Sequence, residues 1–103
     1  MEVILGSIRA IPQGEGRNFA VGSAEIAVFR DRDGGVYATQ ALCPHRGGRL
    51  ADGLLGAGQL VCPLHSLKFD LSTGLAHSSE CSLKLYPVRL NEAGQIVVDL
   101  ESP

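Results

Sequence analysis

A chain of 103 residues suits one compact domain, taken here as 1–103, and leaves little room for a second. With 45% apolar and 19% charged residues, a folded core is expected and disorder is excluded. The net charge of −2, with no block of Lys or Arg, argues against nucleic acid or an anionic membrane surface as the main partner.

In chain order, Val3 to Ile8 is apolar and β-branched enough for a first strand. Ile11 to Gly16 is rich in turn residues. Its Gly14-x-Gly16 pair has no third glycine and no helix pattern after it, so it reads as a plain loop, not a phosphate cradle. Phe19 to Val21 and Glu25 to Arg30 are predicted strands joined by a turn at Gly22-Ser23. Asp31-Arg32-Asp33-Gly34-Gly35 signals a hairpin, because glycine readily takes the positive φ of tight turns. Val36 to Thr39 is the return strand. Leu50 to Leu55 suits one short turn of helix. Gln59 to Cys62 and Leu67 to Leu71 are short strands, and Ser72-Thr73-Gly74 turns the chain towards Leu75. Leu83 to Leu90 and Gln95 to Leu100 are predicted as a last hairpin around Asn91-Glu92-Ala93-Gly94. No segment keeps a 3.6-residue apolar period for three turns. Short strands with glycine-rich turns therefore predict an all-β sandwich or barrel, with a loose tail at Glu101-Ser102-Pro103.

The first residues lack a basic region followed by a long apolar one. Every apolar run is shorter than the roughly 20 residues that span a bilayer. A cytoplasmic protein without a membrane partner is the expectation. Three cysteines, an odd count without an export signal, fit metal ligation better than a disulfide framework.

Two motifs stand out: Cys43-Pro44-His45 and Cys62-Pro63-Leu64-His65, with sixteen residues, Arg46 to Val61, between them. Each supplies one soft thiolate and one imidazole. Pro44 and Pro63 lock φ beside each cysteine, which leaves less freedom to lose on binding a metal. Zinc accepts two Cys and two His in tetrahedral geometry. Zinc fingers, however, usually pair Cys with Cys and His with His, the latter on a helix, and no helix is evident. A Rieske cluster needs two Cys on one iron and two His on the other, and two similar loops satisfy that requirement symmetrically. The pattern favours iron–sulfur over zinc, with a non-redox zinc-stabilised module as the alternative.

The double motif resembles the Rieske [2Fe–2S] pattern C-x-H, then C-x-x-H. The likeness continues through Phe69-Asp70-Leu71-Ser72-Thr73-Gly74 and Tyr86-Pro87-Val88 to the last strand. The resemblance implies stacked antiparallel sheets with a cluster-binding subdomain at one tip, and ligand loops at about 43–48 and 62–68. Cys43 and Cys62 would hold the buried iron, and His45 and His65 the iron nearer solvent. Respiratory Rieske proteins add a disulfide at positions that are Gly47 and Leu64 here, and a serine where this chain has Leu67. Fewer donors to the cluster imply a lower reduction potential.

The chain has no Ser/His/Asp set or paired carboxylates, so no catalytic centre of its own is expected. Electron transfer for another protein is the expected role. Ile11 to Arg17, Cys43 to Gly48 and Cys62 to His65 look similar to the small subunit of NAD(P)H-dependent assimilatory nitrite reductase. That likeness implies a large subunit with FAD and sirohaem that reduces nitrite to ammonia. The alternative is the ferredoxin of an aromatic-ring dioxygenase system, working between a flavin reductase and a terminal oxygenase. Pro44 and the double glycine lean towards the first. His77 is read as surface loop, and Cys81 as a small half-buried hydrophobe. Arg46, Arg49 and Lys68 lie near the ligands, either to offset cluster charge or dock an acidic partner, or as solvated side chains.

Overall fold

The computed structural model describes residues 2–43, 49–62, 68–76 and 82–100. His45, His65, His77, Cys81, Arg46 and the tail from 101 lie outside them. Among the described residues ten strands occur: β1 (Glu2–Ser7), β2 (Glu15–Val21), β3 (Ala24–Arg30), β4 (Val36–Gln40), β5 (Leu54–Gly56), β6 (Gln59–Val61), β7 (Lys68–Asp70), β8 (Leu85–Tyr86), β9 (Val88–Leu90) and β10 (Gln95–Asp99). Among the described residues the only helical turns are 3-10 turns at Ile8–Ala10 and Leu50–Asp52. The helical turn expected over Leu50 to Leu55 is thus confined to Leu50–Asp52, and Leu54 and Leu55 belong to β5 instead.

The strands form three antiparallel sheets, ordered β1-β10-β9, β2-β3-β4-β8 and β5-β6-β7. Side chains alternate across a strand, and β3 uses both faces. Ile26 and Val28 join a core with Ile11, Ala38, Ile96 and Val98, against the first sheet. Ala27 and Phe29 join a second core with Leu50, Leu60, Phe69, Leu71, Leu83, Cys43 and Cys62, against the third. The near-continuous apolar run of β3 is therefore that of a strand buried on both sides. These are the stacked antiparallel sheets that the resemblance implies.

Two further predicted boundaries are corrected. β2 starts at Glu15, inside the segment read as a loop. Gly16 pairs with Phe29, and a Cβ there would lie 2.5 Å from the phenyl ring, so this glycine is a close-packing residue of a strand. The predicted strand Leu83 to Leu90 is also not continuous. Pro87 cannot donate to a ladder, and the chain changes sheet there. β8 pairs with β4, while only β9 pairs with β10. The Pro87 carbonyl still accepts a hydrogen bond from Asp99 N at 2.9 Å, tying the switch to β10.

Candidate metal centre

Both cysteines of the double motif sit at strand ends that deliver them into one core. Cys43 follows β4 after Ala41 and Leu42, and Cys62 follows β6 directly. They are 2% and 1% exposed and belong to the same apolar cluster. Each lies beside a neck, a pairing that joins the described residues on either side of its motif. Leu42 and Arg49 form an antiparallel bridge around residues 43–48, and Ala41 O accepts from Leu50 N at 3.0 Å. Val61 pairs with Lys68 around residues 62–67. The segments that carry the two motifs are thus framed alike.

This half of the site fits an iron–sulfur cluster on its chemistry. Thiolates are the ligands that such clusters take. The two sulfur side chains share one apolar cluster with Phe29, Leu60 and Phe69, which places soft donors in a site shielded from water. The imidazole half of the proposed set, His45 and His65, lies outside the described residues.

Three supports of the elements that carry the cysteines have no signature in the sequence. Asp31, 3% exposed, accepts from Arg32 N at 2.7 Å and, through its other oxygen, from Gly58 N at 2.6 Å. Gly58 O in turn accepts from Leu71 N at 2.8 Å. The β3–β4 turn is thereby fastened to the β5–β6 turn, whose Ala57 and Gly58 both take positive φ, as a two-residue hairpin of this type requires. Gln40 is the second support. Its side-chain amide donates to Leu42 O at 2.8 Å, and its side-chain carbonyl accepts from Lys84 N at 2.9 Å, bracing the residue before Cys43. Gly53 is the third: a Cβ there would collide with the Val61 carbonyl, one residue before Cys62.

Burial pushes the Tyr37 phenol above its ordinary range, and the charges of Asp33, Asp31 and Asp70 reinforce the shift. A surface cleft of about 530 Å³ lies away from the cysteines, lined by Ser7, Ile8, Arg9, Glu92, Ala93 and Gly94. It offers neither Cys nor His.

Residues 1–88 match the Rieske [2Fe-2S] domain. The chain belongs to the Rieske family. The ferredoxin component of a naphthalene 1,2-dioxygenase system from Pseudomonas aeruginosa is 36% identical over 92 residues, covering 87% of this chain and 86% of that protein. Among solved structures, a complex of oxygenase and ferredoxin in carbazole 1,9a-dioxygenase contains a chain that matches at 31% identity and TM-score 0.80, covering 94% of this chain and 100% of that one. A protein assigned as the NADH-dependent nitrite reductase small subunit from Mycobacterium tuberculosis matches at TM-score 0.90 and 22% identity, covering 100% and 97%. At that identity the last likeness speaks to the fold alone. Membership implies a Rieske-type [2Fe–2S] cluster as the cofactor and electron transfer as the activity. The zinc-module alternative therefore falls away.

Proposed function

We propose that this Rieske chain acts as one domain that carries single electrons as the ferredoxin component of an aromatic-ring-hydroxylating oxygenase system. Cys43 and Cys62 are the proposed ligands of the buried iron, and His45 and His65 of the outer one. The observation that carries the reading is the identity to a dioxygenase ferredoxin along nearly the whole of both chains. It outweighs the preference for nitrite reductase drawn from Pro44 and the Gly47-Gly48 pair. The bound cluster supplies one reversible electron. The chain's own part is to bury the two cysteine sulfurs, exclude water around them with Phe29, Leu60 and Phe69, brace the neck beside Cys43 through Gln40, and anchor the turn that starts β6 through Asp31.

The nitrite reductase small subunit is the second reading, supported by the likeness of Ile11 to Arg17 and Cys43 to Gly48 to that family. Two measurements separate the readings. The dithionite-reduced protein should give a rhombic electron paramagnetic resonance signal with an average g below that of all-cysteine clusters. The ferredoxin reading then requires saturable, salt-sensitive electron transfer to a terminal oxygenase. Tight co-purification with a sirohaem flavoprotein, and no transfer to an oxygenase, would move the assignment to nitrite reductase.

A further inference from the structure

The third sheet has one buried and one exposed face. Its strands are paired Leu55–Leu60–Phe69 on the side of the cysteine core and Leu54–Val61–Lys68 on the other. On that outer row Leu54 is 76% exposed, Lys68 is exposed, and Val61 between them is half-buried. The row borders Cys62 directly. The other neck repeats the chemistry: Leu42, 49% exposed, is bridged to the exposed Arg49 and borders Cys43. Each ligand segment is therefore framed by one aliphatic and one basic side chain.

Charge along the chain is divided in the same way. Between Gly34 and Phe69 there are three basic residues, Arg46, Arg49 and Lys68, and one acidic residue, Asp52. The rest of the chain holds six basic residues against ten acidic. Asp52 lies at the outer limit of pairing with Arg49, at 4.0 Å, with both side chains largely in water, where such a pair neutralises little. Among the described residues, exposed Arg49 and Lys68 and exposed Leu42 and Leu54 thus border the two motif segments, while Asp70 lies on the same side of the third sheet towards the β5–β6 turn. Aliphatics bordered by cationic side chains have the make-up of an apolar contact centre with a charged rim that steers encounter.

We propose that Leu42, Arg49, Leu54, Val61 and Lys68 form the docking surface for the redox partner, and that the partner presents an apolar centre ringed by Asp and Glu carboxylates. The proposal rests on the reading of this chain as a carrier that serves a separate protein. A cluster held by the motif residues would supply one electron to the partner's acceptor, oxidising the cluster and reducing the acceptor with no bond made or broken. The basic rim steers encounter, and the aliphatics exclude water at contact.

The test uses the cluster-loaded full chain and, as probe, the oxygenase component of a naphthalene 1,2-dioxygenase system. Substrate turnover is measured as the concentration of the chain is varied. R49E/K68E should raise the KM for the chain about tenfold at low salt and abolish its rise with salt, with kcat and the paramagnetic signal unchanged. L54S should raise KM without altering the salt dependence. R9E/R89E, which changes net charge equally but lies on the β1-β10-β9 side, should behave as the parent. A parent-like KM and salt dependence in R49E/K68E overturn the docking surface. No transfer from the unaltered chain sinks the oxygenase reading instead. The same variants are then titrated against a sirohaem nitrite reductase large subunit, where weakened binding of R49E/K68E upholds the surface and unchanged binding overturns it.

Discussion

At the level of single residues, what this chain lacks is as informative as what it has. Respiratory members of the family hydrogen-bond a cluster sulfide with a serine at the position of Leu67, and cross-link their loops at the positions of Gly47 and Leu64. A donor to the cluster stabilises the extra electron, so its loss lowers the potential. The potential is expected in the lower half of the Rieske range of about −150 to +300 mV. L67S should raise it, as read by redox titration of the paramagnetic signal; a wild-type value near the upper end would overturn the argument. Tyr37 gives a second expectation. Its folded pKa is raised, by burial first and then by Asp33, Asp31 and Asp70. The protonated phenol is thus favoured in the folded state. Its contribution to stability is fully present below the unfolded phenol value of about 10 and is lost as pH rises through the higher folded value. The difference in tyrosinate absorbance between the parent and Y37F should accordingly titrate above an ordinary phenol. A midpoint at or below that value would contradict the burial account.

Among the elements, the strongest lever is the tie between the β3–β4 and β5–β6 turns. In D31A the Gly58 N–H loses its buried acceptor, which costs about 1–3 kcal/mol, or a fall in Tm on the order of 4–8 °C for each kcal/mol in a domain near this size. D31N keeps an acceptor oxygen and should recover part of the loss. A parent-like melting curve for D31A would show that the tie contributes nothing. Asp31 also shows what the sequence conceals. Its place before Arg-Asp-Gly-Gly reads as a hairpin turn, which it is, but nothing in local spacing reveals a bond to a residue 27 positions away. β3, β4 and β10 were legible because apolar and β-branched runs ended in turn residues. The start of β2 was not, because Gly14 and Gly16 carry the same letter for different reasons: one takes a positive φ, and the other makes room for Phe29. The split at Pro87 did have a signal, the missing amide hydrogen of proline, and the apolar residues around it masked it. The cysteines were legible because their chemistry is rare and repeated. The braces Gln40 and Asp31 were not, because Gln and Asp are common in turns.

For the molecule as a whole, the two cores on either side of β3 are not equivalent. The core of Ile26, Val28, Ile96 and Val98 is built of aliphatic side chains and paired strands that need no cofactor. The core of Phe29, Leu60 and Phe69 includes both cysteines, and the third sheet above it has strands of only three residues each. Strands that short have little independent stability in water. Cluster binding is linked to the folding of whatever holds the ligands, so the cluster's contribution should be concentrated on that side. Removing iron under anaerobic chelation is therefore expected to leave β3 and β10 protected from amide hydrogen exchange while β5, β6 and β7 exchange much faster. The β3–β4 turn should loosen with them, because Asp31 loses a fixed Gly58 to hold. Uniform loss of protection across both cores would mean that β3 couples them into one cooperative unit. Unchanged protection throughout would mean that the apolar packing around Cys43 and Cys62 is sufficient without metal. Only selective loss in the third sheet is consistent with a scaffold that folds by itself and a cluster subdomain that is completed by its cofactor.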